Sequence, residues 1–191
     1  MKVIKKEAFL KNKEFYIKEM KLGKIFIYPT DSIYGIGCNA LIGKSVEKIR
    51  KIKGREQKPF SIIAPEKNWI EKNCYIDDRV KSWLEKLPGK YTLVLELKNW
   101  DCINNKVNFG GDSLGVRIPD NWFSNIVKEL GEPFVTTSVN KSGEKFIEEI
   151  SELQGNIRRD IDYFIDSGKL NGKPSTIVIL IKNQEKVIER V

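Results

Sequence analysis

The sequence contains no histidine in its 191 residues. Histidine is the side chain whose ordinary pKa lies closest to neutral pH, and it is the most common metal ligand. Its absence excludes Ser-His hydrolases and histidine general bases, and it argues against most transition-metal sites. Any catalysis must therefore depend on positioning, hydroxyl groups, cations and a metal ion that a substrate brings with it.

Cysteine is also scarce. The three cysteines, Cys38, Cys74 and Cys102, are odd in number and widely spaced. Because no histidine accompanies them, this pattern argues against both a disulfide framework and a zinc site. We expect three reduced thiols with mainly structural roles.

Long apolar runs are missing as well. No stretch reaches the length of a membrane span, and charged residues interrupt the N-terminal segment 1–15 too often for a signal peptide. These absences predict a cytoplasmic protein without a membrane partner.

The composition is typical of a soluble globular protein, with 40% hydrophobic and 31% charged residues, and the length predicts a single domain over residues 1–191. The formal net charge of +8 indicates anionic partners. Such partners could be nucleotides, RNA or merely the polyanionic cell interior. The lysines of the first predicted helix, 5–22, are spread along it, which favours a solvated face over a nucleic-acid surface.

Apolar runs and helical periodicities alternate along the chain. This alternation predicts an α/β fold with a twisted, open, mixed sheet and flanking helices. The predicted strands are 24–28, 60–64, 91–97, 113–118, 133–137, 177–181 and 186–191, with a short apolar run at 163–165. The predicted helices are 5–22, 66–73, 77–86, 122–131 and 148–160. A further helix contains Val46, Ile49 and Ile52, with Ser45 as a possible cap and Gly54 as its end.

The stretch from Ile25 to Lys58 is typical of a pocket wall. Pro29 ends an apolar strand, and hydroxyl groups and Asp31 follow it. Gly35 and Gly37 either permit positive φ or let another group approach the backbone closely. Lys53, Arg55 and Lys58 lie at and beyond the end of the predicted helix before Gly54. They would suit a phosphate-bearing ligand, but they would equally suit a solvated helix end, where cations are favoured by the helix dipole.

Three further polar clusters lie at strand ends, at 113–117, 138–143 and 174–176. Ligands of α/β proteins gather at such ends. Arg117 in the first cluster either extends from a sheet edge to solvent or points into a polar site. The second cluster is a candidate wall of the same pocket, or a turn that caps the next helix. Neither of the usual Gly-rich nucleotide loops is present.

Several short motifs occur in one order along nearly the whole chain. They are YPTDSIYGIGCNA (28–40), KGR (53–55), KPF (58–60), PGKYTLVL (88–95), LGVRIPD (114–120), TTSVNKSG (136–143), PSTIV (174–178) and VIER (187–190). On these motifs the chain resembles the short, single-domain form of the YrdC/TsaC family of threonylcarbamoyl-AMP synthases. The resemblance implies a concave, positively charged cavity. It also implies formation of threonylcarbamoyl-AMP and pyrophosphate from L-threonine, bicarbonate and ATP, as a step of tRNA threonylcarbamoyladenosine (t6A) modification.

The resemblance also assigns roles to particular residues. ATP would be bound by Lys53, Arg55, Lys58, Ser113, Asn140 and Arg190, of which Lys53 and Arg55 would be catalytic. Threonine would be bound by Thr30, Ser32, Tyr34, Arg117, Ser138 and Ser175, with Thr176 lining the same cavity. Mg²⁺ would accompany ATP, and no protein metal ligand is implied.

The chain departs from the family pattern at a few positions. Ser32 stands where threonine is common, and Val139, Ile63, Asn121 and Ile179 replace residues usual in relatives. Possible partners are tRNA or double-stranded RNA and the downstream t6A transferase proteins. The alternative reading is an RNA-binding module of the same fold, or a paralogue without synthase activity.

Overall fold

Ten strands form one sheet in the part of the chain that the structure, a computed structural model, describes, namely residues 1–55, 57–141 and 143–190. The strands are β1 (Lys2–Lys5), β2 (Phe26–Tyr28), β3 (Gly35–Gly37), β4 (Ser61–Ile63), β5 (Tyr91–Glu96), β6 (Ser113–Arg117), β7 (Phe134–Ser138), β8 (Tyr163–Asp166), β9 (Thr176–Leu180) and β10 (Lys186–Ile188). Their order across the sheet is β1-β8-β2-β3-β7-β4-β6-β5-β9-β10.

Parallel and antiparallel pairs mix within this sheet. The pairs β1–β8, β2–β8, β4–β6 and β5–β9 are parallel, and the other five are antiparallel. Helices lie along the sheet at α1 (Lys6–Lys11), α2 (Lys13–Lys21), α3 (Gly43–Lys53), α4 (Lys67–Asn73), α5 (Asp78–Leu84), α6 (Trp122–Leu130) and α7 (Gly155–Asp160). The predicted mixed α/β fold is therefore confirmed.

Local sequence explains several helix ends. Asp77 and Asn121 cap α5 and α6 by accepting the backbone N–H groups of Val80 and Phe123. Gly54 and Gly131 end α3 and α6 in the left-handed conformation that glycine adopts without strain. No helix among the described residues is both long and apolar enough to cross a membrane.

Four local predictions were wrong. The predicted single helix 5–22 is two helices, α1 and α2, that meet at Asn12, whose side-chain amide donates to the carbonyl of Ala8. Ser45 does not cap α3, because its hydroxyl donates to the Gly23 carbonyl at 2.6 Å. The predicted helix 148–160 is a 3-10 turn, Ile150–Glu152, followed by α7. The last strand ends at Ile188, before Val191, which lies outside the described residues.

The glycines at 35 and 37 belong to β3, between β2 and β7. A Cβ atom on Gly37 would lie 1.9 Å from the carbonyl oxygen of Val135. The group that approaches this backbone closely is thus the neighbouring strand. Glycine is required here for sheet packing.

The two faces of the sheet are covered differently. One face is buried under α3, α4, α5 and α7, with Val46, Ile70, Val80 and Ile157 in a single large apolar cluster. On the other face a smaller cluster packs α1, α2 and α6 against strands β1, β2, β4, β7 and β8, with Tyr28 stacked on Phe123 at 4.1 Å. Further along this second face, polar side chains replace the apolar ones, and a concavity forms there.

Candidate functional site

The concavity is a polar cavity of about 150 Å³ that crosses the middle of the sheet. Its walls come from the β2–β3 turn, from strands β4, β5, β6, β7 and β9, and from two segments beyond α3 and β10. The lining residues are Thr30, Ser32, Ile33, Tyr34, Gly35, Arg55, Pro59, Ser61, Thr92, Arg117, Thr136, Thr137, Ser138, Ser175, Ile177 and Arg190. The described lining thus carries three guanidinium groups, many hydroxyls and no carboxylate.

The structure brings together many of the candidate residues identified in the sequence. Eight of them line this cavity: Thr30, Ser32, Tyr34, Arg55, Arg117, Ser138, Ser175 and Arg190. Because these residues lie in six separate segments of the chain, only the folded sheet creates the site. Their roles toward ligands stay predictions.

Arg117 lies at the centre of the cavity floor, on the internal strand β6. Alternation along β6 points Leu114 and Val116 into the apolar core and Arg117 to the opposite face. The Arg117 side chain is 7% exposed and pairs with Asp31, which is 5% exposed, at 2.6 Å. Burial lowers the pKa of Arg117, and the Asp31 charge raises it in opposition. The guanidinium therefore points into the site and does not extend from a sheet edge to solvent.

The Arg117 guanidinium also keeps unused hydrogen-bonding capacity. Its Nε atom is buried and has no hydrogen-bond partner among the described residues. A buried polar group without a partner is costly, so a ligand acceptor at this position would recover free energy.

Asp31 is a site residue to which sequence reasoning assigned no role. One carboxylate oxygen accepts the Arg117 hydrogen bond, and the other accepts the backbone N–H of Asp120 at 2.9 Å. This arrangement fixes the Arg117 side chain between β6 and the β2–β3 turn. The only signal in the sequence was an acidic residue among hydroxyls, next to a strand that would carry a buried arginine.

The hydroxyl groups of the β2–β3 turn are largely committed to the protein. Thr30 Oγ1 donates to the Ile33 carbonyl at 2.7 Å and accepts the Ser32 N–H at 3.1 Å. Tyr34 donates its hydroxyl to the Gly168 carbonyl at 2.7 Å, and burial raises its pKa. Thr30 and Tyr34 therefore shape the cavity wall, and the neutral phenol anchors the segment that follows β8.

The same segment touches the turn again at Gly172. A Cβ atom at this position would lie 1.8 Å from the Ser32 carbonyl oxygen. We expect Gly172→Ala to lower the free energy of unfolding by about 1–3 kcal/mol, because the segment must move away from the cavity wall. Urea denaturation measures this loss. Gly155→Ala is the matched control, since a Cβ there meets nothing within 4 Å, and an equal loss in both variants would contradict the contact.

Lys53 lies behind the Ser138 wall. It is 2% exposed, and its ammonium donates to the Ser138 carbonyl at 2.6 Å and to the amide oxygen of Asn140. Ser138 Oγ donates to the same amide oxygen at 2.7 Å. Burial, with a smaller contribution from the Arg55 charge, lowers the pKa of Lys53 to about 7. Lys53 thus supports the cavity from behind and can lose its proton near neutral pH.

A second hydrogen-bonded group closes the opposite wall. Arg190 donates from Nε to the Ser175 carbonyl at 2.7 Å and from Nη2 to Ser175 Oγ at 2.8 Å. The Ser175 hydroxyl lies 2.8 Å from the hydroxyl of Thr92, a buried residue that sequence reasoning did not identify. This network fixes the direction in which Arg190 and Ser175 face the cavity.

Besides Lys53, four candidate positions lie outside the lining. Asn140 is bonded to Lys53 behind the wall, and Lys58 is exposed beyond Arg55. Ser113 is half-buried at the other end of β6 from Arg117. Thr176 is on the opposite face of β9 from the lining residue Ile177, so its expected place in the cavity was wrong. Ser142 of the 138–143 cluster lies outside the described residues.

The described residues contain no group of three or more cysteine and carboxylate side chains that could hold a metal ion. The three cysteines are free thiols, as the sequence predicts. Burial raises the pKa of Cys102 to about 11 and that of Cys74 to about 12, so these thiols are poor nucleophiles near neutral pH.

Fold and site together define an α/β protein whose sheet carries a polar, arginine-lined cavity on one face. The family profile Sua5/YciO/YrdC, described as "Telomere recombination", matches residues 18–190. The chain belongs to this family.

Among the relatives, a protein of Methanocaldococcus jannaschii named provisionally as a threonylcarbamoyl-AMP synthase is 42% identical, over 86% of this chain and 78% of its own length. The threonylcarbamoyl-AMP synthase of Bos taurus is 29% identical, over 81% of this chain and 55% of its own length. The crystal structure of P. abyssi Sua5 complexed with L-threonine superposes with a TM-score of 0.84 at 24% identity, over 98% of this chain and 56% of that one. The chain thus spans little more than half the length of two of these three proteins.

Proposed function

We propose that the protein is an L-threonylcarbamoyladenylate synthase, a nucleotidyltransferase that uses ATP, L-threonine and bicarbonate. The names of its relatives support this activity, and so does the L-threonine complex of the Sua5 structure. The observation that carries the proposal is Arg117, a buried guanidinium held by Asp31 with an unpaired Nε, at the floor of a cavity lined with hydroxyl groups.

In this proposal Arg117 binds the threonine carboxylate. A planar guanidinium can donate two parallel hydrogen bonds to a carboxylate, and a buried site strengthens both. Ser32, Ser138 and Ser175 would offer hydroxyl groups to the rest of the amino acid. Thr30 and Tyr34 would act by shaping the turn, because their hydroxyls already bond to the backbone.

ATP would occupy the side of the cavity that carries Arg55 and Arg190, with Lys53 behind Ser138 and Asn140. Sites for drug-sized ligands measure about 300–1,000 Å³. The cavity of about 150 Å³ is smaller. A bound nucleotide would therefore extend out of it, and the exposed Lys58 would meet the part that protrudes. Ser113 would reach it only through such an extension along β6.

The chemistry suits this set of residues. The threonine amine and bicarbonate would combine to a carbamate with loss of water, and a carbamate oxygen would attack the α-phosphorus of ATP and expel pyrophosphate. Such transfer needs positioning and neutralisation of negative charge, and no covalent enzyme intermediate. Since the described lining offers no carboxylate, Mg²⁺ would arrive with the triphosphate as part of the substrate and not in a protein cage.

The direct test is incubation of the purified protein with ATP, L-threonine, bicarbonate and Mg²⁺. We expect pyrophosphate release and a threonylcarbamoyl-adenylate that mass spectrometry detects. Omission of threonine or of bicarbonate is the internal control, because each must abolish the adenylate. Pyrophosphate release that does not depend on threonine, or no product at all, would overturn the assignment.

We further infer that a single domain over residues 1–191 performs this step in the cytoplasm and passes its product to the t6A transferase proteins that act on tRNA. The net charge of +8 favours contact with tRNA as well. An RNA-binding module without catalysis would instead bind tRNA or double-stranded RNA with a steep salt dependence and without competition from ATP. Salt titration of tRNA binding, with and without ATP, separates the two functions.

A further inference from the structure

Arg50 is an arginine of α3 that lies outside the cavity. It is buried, with 8% of its surface exposed. All five of its N–H groups donate to backbone carbonyls. Nε and Nη2 donate to Lys106 at 2.9 and 2.6 Å, and Nη2 also donates to Val107 at 3.0 Å. Nη1 donates to Arg55 at 3.2 Å and to Lys58 at 3.0 Å. One guanidinium thus joins two loops to the end of α3: one that contains Arg55 and Lys58, and one that contains Lys106 and Val107.

Two aromatic rings enclose the same guanidinium. Its central carbon lies 4.4 Å from the centre of the Phe60 ring and 3.9 Å from that of the Phe109 ring. Phe60 is buried, whereas Phe109 is 49% exposed and adopts a positive φ of 60°. Stacking on two rings restricts the guanidinium to one plane, so the directions of its five hydrogen bonds are fixed.

The loop that follows α3 is wrapped around Arg50. Its first backbone N–H, that of Arg55, donates to the Arg50 carbonyl at 3.1 Å, and the N–H of Phe60 donates to the Val107 carbonyl at 2.9 Å. The Arg55 side chain bonds to the Pro59 carbonyl within the same loop and lines the cavity. The position of the Arg55 guanidinium in the site therefore depends on contacts that centre on Arg50.

We propose that Arg50 is a positioning residue for the nucleotide side of the site. It does not touch the cavity, and it acts by holding the backbone of Arg55 and Lys58 in place. The inference rests on the proposed function, since it assumes that this loop meets the phosphates of ATP. Threonine binding, which depends on Arg117 and the β2–β3 turn, lies on other segments and should be spared.

The test uses Arg50→Lys, which keeps a positive charge but loses the fork that spans both loops. We expect the KM for ATP to rise about tenfold and the KM for threonine to stay within twofold. Hydrogen exchange of the ligand-free protein should be faster in peptides covering 55–60 and 104–110. Phe109→Asn removes the outer ring at an exposed position whose backbone asparagine tolerates, and it should change the same two quantities less.

The control is Arg79→Lys, because Arg79 lies on α5 and bonds only to the side chain of Asp77 in the contacts described for it. Equal rises of both KM values, or exchange that accelerates throughout the chain, would mean that Arg50 serves overall stability only, and the proposal would fail. Unchanged KM for ATP with unchanged loop exchange would also overturn it. If the wild-type protein makes no adenylate, the proposed function fails, while the exchange experiment still decides whether Arg50 holds the two loops.

Discussion

Arg117→Lys is expected to raise the KM for L-threonine about a hundredfold, while the KM for ATP stays within threefold. The lysine keeps the charge but cannot make two parallel bonds to a carboxylate. Loss of two charged hydrogen bonds, each of about 1.5 kcal/mol, amounts to about 3 kcal/mol, which corresponds to about a hundredfold in affinity. Steady-state kinetics with each substrate varied in turn measures both constants.

The structure supplies a check on this interpretation. Asp31 holds the Arg117 guanidinium without belonging to the cavity lining, so Asp31→Asn should shift the KM for threonine in the same direction but less. Both variants change a buried ion pair and will lower stability. Thermal denaturation must therefore accompany the kinetics. Unaltered threonine dependence in a folded Arg117→Lys protein would remove Arg117 from the threonine site.

Lys53→Met is expected to lower kcat/KM for ATP at least a hundredfold. In the wild-type protein, the affinity for ATP should decrease as the pH rises above neutral. The free protein has a Lys53 pKa of about 7, because burial disfavours the charged form. A bound polyphosphate would raise this pKa. The dissociation constant for ATP should therefore be constant below pH 7 and increase above it, by up to tenfold per pH unit until the pKa of the complex is reached. Lys53→Arg should flatten the profile, since arginine stays protonated.

The same residue makes a stability prediction whose sign is fixed. The ordinary lysine pKa is 10.5, and the folded value is about 7, so the unfolded chain binds more protons between these two values. Stability rises with pH wherever the unfolded state binds more protons. The Lys53 contribution to the free energy of unfolding should thus increase from pH 7 to pH 10. Urea denaturation of wild type and Lys53→Met at pH 7 and 9 tests this, and parallel changes in both proteins would contradict it.

The strands and helix ends that depend on neighbouring residues in the sequence were predicted correctly. The apolar runs 60–64 and 91–97 form strands, and Gly54 and Gly131 end helices, because these features depend on nearest neighbours. Strand β1 was missed, since its charged residues become a strand only by pairing with β8.

The site was predictable to the extent that strand ends identify it. Polar clusters at strand ends contain six of the eight lining residues, because ends of neighbouring strands meet at one place. The other two, Arg55 and Arg190, were assigned through the family resemblance. The side on which each residue faces depends on register, which is why Thr176 was misplaced and Thr92 was missed. The Asp31–Arg117 pair joins residues 86 positions apart, and no local pattern indicates such a contact.

The pairing of β1 with β8 also bears on how the chain folds. Lys5 and Asp166, which form an ion pair beside these strands, are 161 positions apart in the sequence. Contacts of such separation form late and slow the search for the native state, because a long loop must close before they contribute. The Arg117–Asp31 pair likewise joins two segments that are far apart in the sequence. We therefore expect a slow final folding phase that threonine accelerates little, because the binding cavity exists only after that phase is complete.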